Sequence, residues 1–225
     1  MKFAVLGTGS VGRAIADRLD ELGHDVLIGT RDPDATVARA AADDMGNPTY
    51  AEWAAQHPRV RLGSFAEAAG QAEVVVNATN GGASLDVLAL AGADALAGKV
   101  IIDIANPLDF SQGMPPTLFV KDTDSLAEQI QRAFPSARVV KTLNTMTAAL
   151  MVRPAELAEG SSVFVSGDDP QAKAVVTALL QEFGHSDVID LGNLSSARGT
   201  EMLLPVWLRL WAALGTPMFN FKIVR

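Results

Sequence analysis

The 225-residue sequence predicts an α/β fold: a doubly wound parallel sheet with a small C-terminal α/β extension and a terminal apolar helix. Three observations point to it. An apolar run, Phe3-Ala4-Val5-Leu6, passes through Gly7-Thr8-Gly9-Ser10-Val11-Gly12 into an amphipathic stretch. Strand-length apolar runs then alternate with helical patterns up to Lys141, the sign of strand–helix–strand units and a parallel sheet. A further strand–helix–strand run begins at Ser162 and leads into the apolar stretch from Met202 to Leu214.

The first strand opens at Lys2 and closes at Leu6. The glycines after it have separate tasks: Gly7 permits a tight turn, Gly9 lets the backbone approach a pyrophosphate, and Gly12 brings the helix close to the strand. Phosphates then meet the free N–H groups of the helix's first turn, with Thr8, Ser10 and Val11 completing the cradle. A glycine turn with a purely structural role is the alternative. The second strand, His24-Asp25-Val26-Leu27-Ile28, ends at Gly29-Thr30-Arg31, where an NAD-preferring site would carry a carboxylate for the ribose 2′-hydroxyl. Thr30 offers a hydroxyl and Arg31 a planar cation suited to phosphate oxygens, which points to NADP(H). If Arg31 is instead a solvated loop residue paired with Asp32 or Asp34, the preference stays open.

A helix follows from Ala35 to Ala42, then an irregular insertion around Gly46-Asn47-Pro48 and a short helix holding Trp53. Arg59-Val60-Arg61-Leu62 reads as the third strand. Ser64 caps a helix running to Gly70, with Glu67 at capping-box spacing. Glu73 to Ala78 is the fourth strand, apolar enough for burial on both faces. Val100 to Ile104 is the fifth, and Arg138 to Lys141 the sixth, after a helix from Asp124 to Phe134. In this Rossmann-type arrangement ligands bind beyond the carboxyl ends of the strands. That rule selects Ala78-Thr79-Asn80, Ala105-Asn106-Pro107 and Asn144-Thr145-Met146, small or amide residues where a nicotinamide ribose or ring would pass. Otherwise they are turn formers and caps. The proline-rich stretch from Asn106 to Thr123, with Phe110, Met114 and Phe119, is either a substrate loop or a core-packing or dimer loop.

Beyond residue 160, Ser162 to Ser166 is a strand, and Asp169-Pro170 starts a helix that closes at Gly184. Asp187 to Leu191 is another strand. Ser195-Ser196-Ala197-Arg198 opens a long apolar helix, bent at Pro205. Trp207 and Trp211, four residues apart, mark one face of it, as dimer or core anchors rather than as groups that stack on a cofactor ring. Phe219 to Val224 alternates as a last strand. Residues 1–160 are thus expected to form the NADP(H)-binding domain and 161–225 the extension with a dimerisation helix.

Composition narrows the function. A net charge of −8 leaves no basic face for nucleic acid. The absence of cysteine removes disulfides, thiolate nucleophiles and thiolate metal sites, so no metal is expected and redox chemistry falls to bound cofactors. No signal peptide is recognisable, and Met202 to Leu214 is too short for a bilayer and carries Arg209. A cytoplasmic protein with no membrane partner is expected. His24, His57 and His185 read as surface or capping residues, and Lys141 as either a phosphate-reaching or a structural lysine.

Gly7-Thr8-Gly9-Ser10-Val11-Gly12, Gly29-Thr30-Arg31, Val140-Lys141-Thr142-Leu143-Asn144-Thr145, Ser166-Gly167-Asp168-Asp169 and Asp190-Leu191-Gly192-Asn193-Leu194-Ser195-Ser196-Ala197-Arg198 occur together and in order. This set resembles the family of deazaflavin (coenzyme F420)-dependent NADP oxidoreductases. It is also similar to the cytosolic NADPH–flavin reductase domain of six-transmembrane metalloreductases. The resemblance implies NADPH at the Gly7 loop, its 2′-phosphate near Thr8, Thr30 and Arg31, and a deazaflavin (F420), FMN or FAD ring stacked on the nicotinamide. It further implies a homodimer joined through the terminal helix and tail. Asn144 departs from the histidine that archaeal members carry there. Hydride transfer between two rings belongs to the cofactors, so the protein need only align them and exclude water, and no catalytic side chain is expected. Two other classes compete: an NADPH-dependent reductase of a small carbonyl or imine substrate, and a non-catalytic NADP(H)-binding sensor.

Overall fold

A computed structural model describes residues 1–41 and 46–225. The strands in chain order are β1 (Lys2–Leu6), β2 (Asp25–Thr30), β3 (Arg61–Ser64), β4 (Val74–Asn77) and β5 (Val100–Asp103), then β6 (Leu108–Asp109) and β7 (Thr117–Leu118), then β8 (Arg138–Thr142), β9 (Ser162–Gly167) and β10 (Asp187–Asp190). Eight of them form one sheet in the order β10-β9-β8-β5-β4-β1-β2-β3, while β6 and β7 make a separate antiparallel hairpin. The chain winds outward from β1 in one direction and from β4 in the other. The crevice at this reversal is where doubly wound sheets bind ligands.

Both faces of the sheet are buried, as the alternation along β1 shows. Phe3 and Val5 join one core with Ile15, Ala16 and Leu19 of the helix Ser10–Glu21 and with Val176 and Leu180 of the helix Pro170–Phe183. Ala4 and Leu6 join the opposite core with Ala68 and Ala69 of Phe65–Gln71 and Ile130 of Leu126–Ala133. Local capping follows the sequence. Ser64 and Glu67 make both bonds of a capping box, Asp169 caps Pro170–Phe183, and Gly184 closes that helix with a left-handed φ of 106°.

Several expectations are corrected. The helix expected over Ala35 to Ala42 spans Pro33–Ala38, and Ala42 lies outside the described residues. The third strand starts two residues late, because Arg59 turns away to pair with Asp20 at 2.8 Å. The sheet is not wholly parallel: β9 runs antiparallel to β8, with Val140 opposite Gly167. The α-helix between them, Ala148–Val152, reaches only about 7.5 Å. The rest of the connection, residues 143–161, holds one further short turn, Pro154–Glu156, and brings the chain back into the sheet in the opposite direction. β9 and β10 nevertheless extend the same sheet past residue 160.

The terminal apolar helix is two helices, Ala197–Met202 and Leu204–Leu214, interrupted at Leu203, with Pro205 in the first turn of the second. The strand expected over Phe219 to Val224 does not form. There the tail crosses the start of β9 with one backbone bond, from Ser162 N–H to the Phe221 carbonyl at 2.9 Å, and side chains supply the rest: Asn220 Nδ2 donates to the Ser162 carbonyl at 3.1 Å, and Ile223 N–H donates to Ser162 Oγ at 2.9 Å. Among the described residues no helix is long and apolar enough to cross a membrane.

Candidate functional site

At the carboxyl end of β1 the three glycines occupy three different environments. Gly7 has φ 119°, and a Cβ there would sit 2.6 Å from the Ala78 carbonyl oxygen. A Cβ on Gly12 would sit 2.1 Å from the Gly7 carbonyl oxygen, which is how closely helix and strand pack. Gly9 is the opposite case, with no atom within 4 Å of its Cβ position. It is also the N-cap of Ser10–Glu21 and makes no side-chain cap, so that helix start faces open space with backbone donors. Arg13 steadies the loop by donating from Nε to the Thr8 carbonyl at 2.8 Å and from its guanidinium to the Pro48 carbonyl.

At the end of β2, Thr30 is buried, and its hydroxyl lies 2.9 Å from that of Thr36. Thr36 Oγ1 donates to the Asp32 carbonyl at 2.7 Å, so the proton between the two hydroxyls comes from Thr30. Thr30 therefore helps shape this corner. Arg31 is exposed, and among the described residues it pairs with neither Asp32 nor Asp34. Asp32 is occupied as a helix cap, accepting from Ala35 N–H at 2.9 Å.

The ends of β4, β5 and β8 form one hydrogen-bonded floor. Thr79 Oγ1 donates to Asn77 Oδ1 at 2.7 Å, and Asn77 Nδ2 donates to Asp103 Oδ1 at 2.8 Å. Asn80 caps the short turn Gly81–Ala83 by accepting from Gly82 N–H. Asn106 and Asn144 clasp each other. Asn106 Nδ2 donates to the Asn144 carbonyl at 2.9 Å, and Asn144 Nδ2 donates to Asn106 Oδ1 at 3.0 Å and to the Thr200 carbonyl at 3.0 Å. Leu143, just before Asn144, takes the left-handed φ of 60° that a branched residue adopts only under constraint.

Lys141 lies wholly inside. Its Nζ is 2.9 Å from both Asp103 Oδ2 and Glu201 Oε1, and it also donates to the Ala105 carbonyl. Burial works against the ammonium, but Asp103 and Glu201 outweigh it and hold the Lys141 pKa above its ordinary value. The alternative of a phosphate-reaching lysine is thereby set aside. Burial pushes the Glu201 carboxyl up, against the pull of Lys141 and of the Leu126 N–H, from which it accepts at 2.8 Å. Nothing in the local pattern around Glu201 named its partner, 60 positions earlier in the chain.

Above this floor opens a cleft of about 590 Å³. Of the residues chosen from sequence, Ser10, Val11, Ala78, Thr79, Asn80, Ala105, Asn106, Asn144 and Met146 line it together. Gly7, Thr8, Gly9, Gly12, Thr30, Arg31, Pro107 and Thr145 do not. The walls are Leu108, Phe110 and Met114 from the hairpin loop on one side and Leu204, Trp207, Leu208 and Trp211 on the other. Phe119 of the same loop is not among the lining residues. The reading of the two tryptophans as core or dimer anchors is thus incomplete. Their rings sit 5.5 Å apart, and the buried Trp207 Nε1–H has no partner among the described residues. Among the described residues no ionisable side chain lines the cleft. Among the described residues no cluster of His, Asp or Glu could hold a metal ion.

Residues 2–107 match the family described as NADP oxidoreductase, coenzyme F420-dependent. The chain is 28% identical over 221 residues to the F420-dependent NADP reductase of Methanothermobacter marburgensis, covering 93% of this chain and 92% of that one. A crystal structure from Arthrobacter sp. FB24, provisionally described as an F420-dependent NADP reductase, has a TM-score of 0.96 and 62% identity over 100% of both chains. Metalloreductase STEAP3 of Rattus norvegicus is 30% identical over 211 residues, 92% of this chain. The chain spans only 38% of that metalloreductase's length.

Proposed function

We propose that this chain, which belongs to the family of coenzyme F420-dependent NADP oxidoreductases, moves hydride between NADP(H) and a deazaflavin or flavin ring lying in the cleft. The cleft's chemical character supports this most directly. It continues from the glycine cradle, it is walled by flat and flexible apolar side chains, and it offers no side-chain acid or base. Reducing a carbonyl creates a strongly basic oxygen that needs a positioned proton donor. A deazaflavin or flavin spreads the arriving electron pair over its ring and takes its proton from water at an exposed edge. Lys141, the nearest buried cation named above, is already committed to three acceptors.

In this reading Gly7 and Gly12 set the cradle's shape, Gly9 leaves the approach to the helix N-terminus open, and the first-turn N–H groups of Ser10, Val11 and Gly12 hold the pyrophosphate. Arg31, with Thr8 beside the cradle, takes the 2′-phosphate, and Thr30 braces that corner. Thr79, Asn80, Ala105, Asn106 and Pro107 form the nicotinamide side, while Asn144, Thr145 and Met146 form the acceptor side. NADPH, when bound, supplies the hydride. Phe110, Met114, Trp207 and Trp211 would keep water from the face where the two rings meet, leaving an outer edge of the acceptor in reach of solvent. The segment 1–160 serves the nucleotide, and 161–225 contributes the far wall and, through exposed Val206 and Leu214, contact with a second copy of the chain.

The test is NADPH oxidation by the purified protein against F420, FMN, FAD and a few short carbonyl and imine compounds, with NADH as control donor. Saturable turnover with F420 or a flavin is the expected result. Turnover confined to a carbonyl or imine overturns the ring-to-ring reading, and tight NADPH binding without any turnover turns attention to a sensor.

A further inference from the structure

Beside the cleft lies a second cavity of about 420 Å³, walled by Pro115, Pro116 and Lys121 on the hairpin side and by Met202, Pro205 and Arg209 on the other. The two cavities share their dividing walls. Met114 lines the cleft and Pro115 the second cavity. On the helix Leu204–Leu214, Leu204 and Leu208 line the cleft, and Pro205 and Arg209, one row around, line the neighbour. Adjacent rows on a helix lie within about 10 Å of each other.

The charge of the second cavity is unlike that of its surroundings. Its ionisable lining is two cations and no carboxylate. The chain has 26 acidic residues against 18 basic ones, and its surface arginines and lysines are commonly paired: Arg132 with Asp124, Arg153 with Glu21, Lys173 with Asp190, Arg198 with Glu128. Neither Lys121 nor Arg209 makes an ion pair among the described residues, and Asp122, next in the chain, does not line the cavity. An acidic protein that leaves two cations uncompensated in one concavity presents a local positive potential, which an anion would relieve.

We propose that this cavity takes the phosphate-bearing tail of the acceptor whose ring lies in the cleft. The inference rests on the ring-to-ring reading and adds to it where the acceptor's phosphate is held, about one helix row from the ring, so that a bare ring is the poorer ligand. The Arg209 fork grips the phosphate oxygens, and Lys121 adds a point charge from the opposite wall. The division of labour follows, with an uncharged cleft for the ring and a cationic annex for the tail.

The experiment is equilibrium binding to the NADP⁺-loaded protein, read by ligand fluorescence, for two pairs that differ in the phosphate: FMN against riboflavin, and F420 against its deazaflavin ring without the phosphodiester tail. The phosphate-bearing member of a pair is expected to bind about tenfold tighter, as two partly exposed charge-assisted contacts allow. In the double variant K121Q/R209Q the two members bind alike. Added salt narrows the wild-type gap in the same way, which needs no variant at all. Equal affinities in the wild-type protein, or a gap that survives in K121Q/R209Q, overturn the proposal while leaving ring binding intact. If no member of either pair binds, the cleft takes no flavin-like ring and the underlying reading falls together with this one.

Discussion

Replacing Lys141 by methionine removes the one cation from a site that holds two carboxylates. The side chains of Lys141 and Asp103 are fully buried and that of Glu201 is 2% exposed, so water cannot take over the lysine's part. Methionine keeps the stem's approximate length and volume, which confines the change to charge and hydrogen bonding. Breaking a buried pair of this kind by deleting one partner costs about 3–5 kcal/mol. In a chain of this size that corresponds to a fall in Tm of roughly 6–20 °C. The sign of the pH dependence follows from Glu201. Burial and Asp103 raise its carboxyl and Lys141 lowers it, so the variant loses the main opposing influence. A carboxyl whose folded pKa lies above its unfolded value contributes stability that is present below the unfolded pKa and lost as pH rises through the folded one. The deficit of K141M is therefore smallest near pH 5 and grows toward pH 8. Urea unfolding followed by tryptophan fluorescence across that range measures it, with K141M/E201Q as partner variant. Glutamine removes one of the two stranded charges, so the double variant recovers part of the loss. A deficit under about 1 kcal/mol, the scale of an exposed pair, would refute the reasoning. So would strict additivity of the two substitutions.

The remaining predictions address the cradle, the corner of β2 and the single tyrosine. Arg31→Ala weakens NADPH binding about 10- to 100-fold and leaves NADH unchanged in side-by-side titrations, because only NADPH carries the phosphate; equal losses for both nucleotides count against the assignment. Gly9→Ala keeps the wild-type melting temperature, since its Cβ meets no atom within 4 Å, yet weakens nucleotide binding by intruding where the pyrophosphate passes. Gly12→Ala has the opposite signature, a loss of about 1–3 kcal/mol in unfolding experiments, because its Cβ would lie 2.1 Å from the Gly7 carbonyl oxygen. Tyr50 is the only tyrosine, and burial pushes its hydroxyl up to about 12, with Arg13 opposing. Absorbance titration of tyrosinate should show a midpoint near 12 in the folded protein. Its contribution to stability, full below the unfolded value of about 10, declines as pH rises between the two.

What the sequence made legible is what short-range physics decides. The glycine cradle, the capping boxes at Ser64 and the strand–helix alternation each need only a few neighbouring residues, and the structure has them. The departures fall where the local pattern is silent or is overridden by contacts far along the chain. Alternation from Phe219 to Val224 predicts a strand, but a strand needs a free edge, and the tail meets β9 at its first residue, where Ser162 and Asn220 bond it in place. The β6–β7 hairpin is too short to leave a periodic trace in a proline-rich loop. The reversed direction of β9 is a matter of which way the chain re-enters the sheet after residues 143–161, and no local pattern in either strand records it.

The site divides along the same line. Strand-end residues could be chosen from sequence because the fold class dictates where ligands approach, and Ala78, Thr79, Asn106 and Asn144 do meet in one cleft. The opposite wall could not, because periodicity identifies a helix face without saying what it faces. Leu204, Trp207, Leu208 and Trp211 form a regular stripe that suits a core, a dimer or a cleft equally well. What orients that stripe is a buried charge. Lys141 in an apolar strand demands a buried counter-ion, and Glu201, standing just before the apolar run, supplies it. That ion pair fixes the helix Ala197–Met202 against β5, β8 and the start of Leu126–Ala133, while Asn144 ties the same helix to the floor through Thr200. The second helix begins two residues later, so its apolar row is carried to the cleft by the Lys141 anchor. The buried triad thereby ties the helical wall of the cleft to its floor, although none of its three side chains lines the cleft.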